Sequence, residues 1–334
     1  MDFLDKVDHY AVEGQLSPKL VPILQNVYAN YKSALAKQGL SLIKDTQSVL
    51  IQLLDSVAEQ SVNPYPFELF HEKIHSPVDY YALGLDFYRP LVDFKHSKVL
   101  GEDNLSQIKK QLDAKDNVIF LANHQIEPDP QIISLLLEKI QPKLAEEMIF
   151  VAGHRVITDP MAIPFSMGRN LLCIYSKKYI DHPPEEKEQK LLHNQRTMKR
   201  MTQLLEEGGK CIYVAPSGGR DRPNSEGEVE VAPFDARSIE MFLLMAKQSS
   251  HPTHFYPLAL HTYHLTPPPD NVQTELVEQR TLNFAAAHLA VGKEVDMDNF
   301  PGGDVSDKKL KRQIRAEYLH DLVVKDYKKI SSKS

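Results

Sequence analysis

No stretch of the 334 residues reaches the roughly 18 consecutive apolar side chains that a membrane span needs, so any bilayer contact is expected to be peripheral. Cysteine is scarce. Cys173 and Cys211 are the only two, and both lie inside apolar strand-like runs, Leu171-Leu172-Cys173-Ile174-Tyr175 and Cys211-Ile212-Tyr213-Val214. Their spacing fits neither a metal site nor a disulfide framework, and they read as buried reduced thiols in a cytosol-like compartment. Basic excess is also absent: 39 Lys+Arg against 45 Asp+Glu leave a formal net charge of −6, which excludes general nucleic-acid binding. Met1-Asp2-Phe3-Leu4-Asp5-Lys6 has neither the basic start nor the apolar core of a secretory signal. Internal repeats and low-complexity segments are missing too. What is present is ordinary for a soluble globular chain, with 42% hydrophobic and 25% charged residues. The length suits one large domain, or a large domain with a small companion.

Periodicity divides the chain near residue 75. Before it, Leu20, Leu24, Val27, Tyr28, Tyr31 and Leu35 recur at helical steps after Ser17-Pro18, which reads as a cap and first turn. Gly39 is placed to end that helix. A second stripe runs Leu42, Val49, Leu50, Leu53, Leu54 and Val57 up to Asn63-Pro64-Tyr65-Pro66. Residues 1–75 are therefore expected to form a small helical bundle domain that packs on the rest of the chain, being marginal in size for a free-standing fold. In residues 76–334, near-continuously apolar strand candidates (117–122, 147–152, 171–175, 211–215, 254–260 and 283–291) alternate with helices (104–113, 129–140, 185–207, 236–248 and 306–330). That alternation predicts an α/β domain whose mixed, largely parallel sheet is covered by helices on both faces.

One junction carries a chemical pattern. The strand candidate Val118-Ile119-Phe120-Leu121-Ala122 runs into Asn123-His124-Gln125-Ile126-Glu127-Pro128-Asp129-Pro130, and a helix comes next. His-x4-Asp suits a base and the carboxylate that orients it. Residues five apart on a continuous helix diverge by about 140°, so the pair meets only if the chain turns, and Pro128 supplies the turn. The bland alternative is a helix N-cap at Asp129 followed by Pro130, beside a merely satisfied histidine. The position at the carboxyl end of a strand, where open α/β sheets bind ligands, favours chemistry.

Cations gather at the same expected edge. The 211–215 strand runs into Pro216-Ser217-Gly218-Gly219-Arg220-Asp221-Arg222-Pro223, and the 171–175 strand into Ser176-Lys177-Lys178-Tyr179. Arginine forks match phosphate oxygens and lysine adds a point charge, so a phosphate-bearing ligand fits. The competing reading makes Arg220 and Asp221 loop charges in surface ion pairs, each worth about 0–1 kcal/mol. Ser217 approaches a nucleophile elbow, but Ala215 replaces the elbow's first glycine and Pro216 restricts the turn. Gly208-Gly209-Lys210 leads into Cys211 and does not make a phosphate loop.

Together, these segments resemble the soluble, plastid-type glycerol-3-phosphate acyltransferases that use acyl-acyl carrier protein as donor. The likeness spans about 60–300. It rests on Asp79-Tyr80-Tyr81, Arg89-Pro90-Leu91-Val92-Asp93-Phe94, the His-x4-Asp segment, Pro164-Phe165-Ser166-Met167-Gly168-Arg169-Asn170-Leu171-Leu172-Cys173, Tyr175-Ser176-Lys177-Lys178 and Ala215-Pro216-Ser217-Gly218-Gly219-Arg220-Asp221-Arg222-Pro223. The resemblance implies a helical bundle before a larger α/β domain, and His124 and Asp129 as the catalytic pair. It implies Lys178, Arg220 and Arg222 as the cations for glycerol 3-phosphate. Tyr179 stands where that family usually has a histidine, so it can donate a hydrogen bond to phosphate but brings no charge. His154 stands where an aspartate is expected.

The implied reaction moves an acyl group from acyl carrier protein, or from acyl-CoA, to the sn-1 hydroxyl of glycerol 3-phosphate. The product is 1-acylglycerol 3-phosphate, and the step opens phospholipid synthesis. Neither a cofactor nor a metal is implied, and a monomer is expected. Plant members begin with a transit peptide that this chain does not show, which implies bacterial cytoplasm or a trimmed form in the plastid stroma. An acidic carrier protein calls for a local basic face. Two are available: Lys187, Lys190, Arg196, Lys199 and Arg200 on one predicted helix, and Lys308, Lys309, Lys311, Arg312 and Arg315 on the last. The alternatives are a different acceptor (lysophosphatidic acid or dihydroxyacetone phosphate), a serine hydrolase built on Ser217, and a non-catalytic lipid- or phosphate-binding protein.

Overall fold

The computed structural model describes residues 1–176, 180–269 and 279–332. The chain opens with three helices, α1 (Phe3–Val12), α2 (Leu20–Ala36) and α3 (Lys44–Val62). Ser17 is not the cap residue of α2: that position is Lys19, which makes no side-chain capping bond, and Ser17 accepts the Leu20 N–H through its carbonyl. Gly39 does end the helix. Its φ of +70° allows the Leu40 N–H to reach the Leu35 carbonyl and the Gly39 N–H to reach that of Ala36.

The next elements are strand β1 (Phe70–His71), α4 (Tyr80–Tyr88), β2 (Lys98–Leu100) and α5 (Glu102–Asp113). α1 packs on α2 and α3, α3 packs on α4, and α2 reaches α4 through Tyr31. Tyr31 is fully buried and donates its hydroxyl to the Phe87 carbonyl at 2.9 Å, and Leu50, Leu54 and Val57 belong to one apolar cluster with Leu85 and Phe87. Each such fully buried side chain contributes ~1.5–3 kcal/mol relative to exposure.

Then come β3 (Asn117–Ala122), α6 (Asp129–Leu137), α7 (Pro142–Glu147), β4 (Ile149–Gly153), α8 (Ile163–Met167), β5 (Asn170–Ile174), α9 (Lys187–Glu207) and β6 (Cys211–Val214). The chain closes with the short hairpin β7 (Arg222–Pro223) and β8 (Val229–Glu230), α10 (Ala236–Ala246), β9 (Thr253–His261), β10 (His288–Val291) and α11 (Lys308–Ser331).

Eight strands form one sheet among the described residues, in the order β1-β5-β4-β6-β3-β9-β10-β2. The five central strands, β5 through β9 in that order, run parallel. β1 and β10 pair antiparallel to their central neighbours, and β2 pairs parallel to β10. The sheet is thus mixed and largely parallel, as the strand pattern predicts. Every residue of β3 is buried, because both of its edges are paired and both of its faces are covered. Val118, Phe120 and Ala122 join the cluster containing Leu105 and Ile108 of α5, whereas Ile119 and Leu121 join the one containing Met201 of α9 and Leu319 of α11. Alternate side chains on one strand therefore build two cores.

Two further expectations change. The segment expected as a strand at 283–291 is ladder-paired only from His288; before it, a single bridge joins Ala285 to Val92. The 129–140 helix stops at Leu137, where Ile140 and Gln141 both donate to the Leu137 carbonyl, and Pro142 starts a new helix. Both cysteines are buried free thiols. Burial pushes Cys173 up to about 12, which agrees with an inert structural role.

Candidate active site

Parallel pairing of β3 with β6 and β9 brings three loops to one edge of the sheet: 123–128, 215–221, and the segment after His261. His124 leaves β3 there. Pro128, with φ −83°, takes the N-cap position of α6, so Asp129 is the first helical residue and turns back toward the loop. Its Oδ2 lies 2.8 Å from Nδ1 of His124. The same oxygen accepts the N–H groups of Gln125 (2.7 Å) and Ile126 (3.2 Å), and Oδ1 accepts the Thr262 hydroxyl at 2.5 Å. Four donors therefore satisfy a carboxylate with no solvent exposure, as a buried charge requires. Asp129 does not cap its own helix; its carboxylate organises the loop before it.

A carboxylate only accepts, so Nδ1 of His124 carries the hydrogen of this bond, and in the neutral ring Nε2 then holds the lone pair. The His124 side chain keeps 29% of its exposure while Asp129 keeps none. A fixed, partly exposed imidazole of this kind can take a proton from a hydroxyl and return it to a leaving group.

The residues beside the histidine are clamped. Asn123 receives the Leu260 N–H on Oδ1 (2.7 Å), and its main-chain carbonyl takes the Tyr213 hydroxyl (2.7 Å). Gln125 receives the Thr262 N–H on Oε1 at 2.7 Å. Both side-chain amides then point their NH2 groups at one carboxylate, Asp221: Asn123 at 2.7 Å and Gln125 at 3.2 Å. Asp221 is completely buried, which rules out the competing reading of it as a surface loop charge. Burial pushes its carboxyl up to about 6, against the lowering effect of the Ala232, Asn123 and Gln125 hydrogen bonds.

The two arginines of the expected cationic pocket flank Asp221. Both are partly buried, and the Asp221 N–H donates to the His124 carbonyl at 2.7 Å, so their loop lies directly against the histidine. Arg222 donates to the Pro269 carbonyl at 2.6 Å, and Arg220 lines a small cleft with Glu127 and Arg280. Gly218 adopts φ +65° in the turn that aims this loop. Lys178 and Tyr179 lie outside the described residues. Ser217 donates its hydroxyl to the Gly219 carbonyl at 2.9 Å, a local bond that directs the proton away from any base. His154 stacks on Tyr175 with ring centroids 4.1 Å apart, and the Tyr175 hydroxyl lies 3.0 Å from its Nε2.

A partly buried ion cluster supports the same loop, and of its members only Glu127 lies in a sequence motif. Arg280 bonds Glu127 at 2.9 Å and Asp159 at 3.3 Å, tying the histidine loop to the segment after β4. Its one sequence signal is an arginine isolated far from the motifs, which is no signal until the fold brings it near. The basic faces are thinner than their charges suggest. Lys187 pairs with Asp181, Lys190 is buried against Glu186, and Arg312 and Arg315 both bind Glu240. Arg196 and Lys199 on α9 and Lys308 and Lys309 on α11 remain exposed. Among the described residues, no helix is long and apolar enough to cross a membrane.

Comparison with known proteins gives this arrangement a family. The acyltransferase family model matches residues 96–261, which include the histidine loop and the 215–223 loop. The chloroplastic glycerol-3-phosphate acyltransferase of Arabidopsis thaliana is 37% identical over 333 residues, 99% of this chain and 72% of that protein. The chloroplastic glycerol-3-phosphate acyltransferase ATS12 of Cucurbita moschata is 39% identical over 318 residues, covering 94% and 68% respectively. The chloroplastic glycerol-3-phosphate acyltransferase of Pisum sativum is 38% identical over 333 residues, covering 99% and 73%. This chain belongs to the glycerol-3-phosphate acyltransferase family.

Proposed function

We propose that the protein transfers an acyl group from a thioester to the sn-1 hydroxyl of glycerol 3-phosphate, with His124 as general base and Asp129 as its orienting carboxylate. The observation that carries this reading is the 2.8 Å bond between His124 Nδ1 and the buried Asp129, on a loop held against the Arg220–Arg222 segment. Phosphate would bind Lys178, Tyr179, Arg220 and Arg222 and present the hydroxyl to Nε2. As the oxygen attacks the thioester carbonyl, its proton passes to Nε2, and Asp129 stabilises the imidazolium. Collapse of the tetrahedral intermediate breaks the C–S bond, and the imidazolium protonates the departing thiolate. The products are 1-acylglycerol 3-phosphate and a free thiol. No acyl-enzyme is needed, consistent with Ser217 being engaged by its own loop.

Acyl carrier protein is the donor favoured by charge. The exposed Arg196 and Lys199 on α9, and Lys308 and Lys309 on α11, offer basic surface to an acidic carrier. The relatives are named as chloroplastic, which favours the plastid stroma over the bacterial cytoplasm as the place of action. The test is an acyl-transfer assay with glycerol 3-phosphate and matched carrier-protein and coenzyme A thioesters. Formation of 1-acylglycerol 3-phosphate supports the reaction, and a rate that falls with salt only for the carrier-linked donor supports the docking surface. Absence of product with either thioester sinks the proposal. Labelling by a fluorophosphonate that is lost in Ser217→Ala would replace it with a hydrolase.

A further inference from the structure

We infer that Asp221 is the positioning residue that sets the phosphate-binding arginines in register with the histidine, an inference that rests on the reaction proposed above. Asp221 lies between Arg220 and Arg222 in sequence, yet its hydrogen bonds run to the histidine loop and to the far side of its own hairpin. Its N–H donates to the His124 carbonyl at 2.7 Å. Its Oδ2 accepts from the residues on either side of that histidine, Asn123 at 2.7 Å and Gln125 at 3.2 Å, and its Oδ1 accepts the Ala232 N–H at 2.9 Å. One residue thus touches three consecutive positions of the histidine loop and carries an arginine on each side.

The donor and acceptor pattern explains why a carboxylate stands there. The Asn123 and Gln125 oxygens are committed to main-chain N–H groups of Leu260 and Thr262, so their NH2 groups cannot be flipped away from Asp221 without losing those bonds. The position therefore faces donors on both of its oxygens, and an amide, with one accepting oxygen, satisfies only one side. Burial raises the Asp221 carboxyl to about 6, so ionising this group costs stability in the folded chain. What it provides in return is geometry: the distance from base to phosphate is fixed by backbone and side-chain bonds rather than by loop tension. Misplacement by about 1 Å can cost about 10²-fold in rate.

The experiment is steady-state kinetics of Asp221→Asn in the full chain, varying glycerol 3-phosphate and the acyl thioester separately, with melting temperature and gel filtration recorded alongside. The inference requires KM for glycerol 3-phosphate to rise about tenfold or more and kcat to fall, while KM for the thioester stays within about twofold. A merely structural residue would reduce the folded, active fraction and leave both KM values unchanged; that outcome, or wild-type kinetics, overturns the inference. If the asparagine variant does not fold, Asp221→Glu keeps the charge but displaces it by one methylene, and the same split between the two KM values decides. If the wild-type protein does not acylate glycerol 3-phosphate, the reaction proposal fails on its own. The register claim is then read from calorimetric binding of glycerol 3-phosphate to wild type and variant, where equal affinities overturn it.

Discussion

Two histidines stand at the carboxyl ends of neighbouring parallel strands, and the chain treats them oppositely. His124, just after β3, has a buried carboxylate on Nδ1 at 2.8 Å. His261, the last residue of β9, has rings around it instead: His288 and His264, each with centroids 5.4 Å away, and Tyr327 at 5.7 Å. Its buried Nδ1 has no hydrogen-bond partner among the described residues. Burial, with His288 and His264 adding to it, lowers His261 to about 4, so that ring stays neutral at physiological pH. The residue after it, Thr262, bonds Asp129. A strand end on the ligand edge therefore does not make a histidine a base. On the proposed mechanism the fixed carboxylate does, and that difference orders the expected effects of mutation.

Removing the imidazole should cost most. His124→Ala is expected to lower kcat/KM by about 10²–10⁴-fold, the usual worth of a general base, with an unchanged circular dichroism spectrum. Near-normal turnover in that variant would break the comparison outright. Asp129→Asn tests the carboxylate by itself. Its amide can offer an N–H to Nδ1 and so favour the wrong tautomer, and kcat is expected to fall by about 10²–10⁴-fold. If Asp129→Asn left the rate intact, the bonds from Gln125, Ile126 and Thr262 would be the whole purpose of Asp129, and His124 would be no better supported than His261. Third in size is Arg222→Ala. Loss of one charge-assisted hydrogen bond of about 1.5–3 kcal/mol should raise KM for glycerol 3-phosphate about 10–100-fold with a smaller change in kcat. Unchanged kinetics would remove Arg222 from the site.

The contrast between the two histidines also separates what the sequence could reveal from what it could not. The five central strands are readable because burial on both faces leaves unbroken apolar runs such as Val118-Ile119-Phe120-Leu121. β1 and β2 are not, since two or three residues carry no period and their pairing is set by distant partners, Leu172 and Leu289 among them. α4 is hidden for another reason: Leu83, Leu85, Phe87 and Tyr88 are all buried, so the helix has no polar face to betray its turn. At the site, His124 and Asp129 are near in sequence and announce themselves. Asp221 does not. Beside two arginines it reads as a surface ion pair, and its true partners are almost a hundred residues away. A signal does exist: Asn123 and Gln125 sit at i−1 and i+1 of the histidine, share a face of the extended chain, and need an acceptor opposite them. Arg280 offers no such cue, because its two acidic partners come from separate loops.

The smallest expected effect sharpens the comparison from the other side. If His261 is only a packed ring, His261→Phe should leave kcat within about twofold of wild type, since neither a proton nor a hydrogen bond to the dyad is lost. Its signature is in stability against pH. The folded-state value of about 4 lies below the ordinary 6.5, so between these values the unfolded chain binds a proton that the folded chain refuses. The neutral ring is thus fully tolerated above about pH 6.5, and stability drains away as pH falls toward 4. Asp221, raised to about 6, works with the opposite sign in part of the same window, because there the folded chain is the one that holds the proton. Absolute melting temperatures therefore mix the two groups, whereas the difference between wild type and His261→Phe isolates the histidine. That difference is expected to be small at pH 8 and to move in favour of the phenylalanine variant as pH is lowered from 6.5 to 5. A difference that stayed flat across this range would mean that His261 gains a proton as readily folded as unfolded. The two strand ends would then differ in the presence of a carboxylate but not in the protonation of their rings.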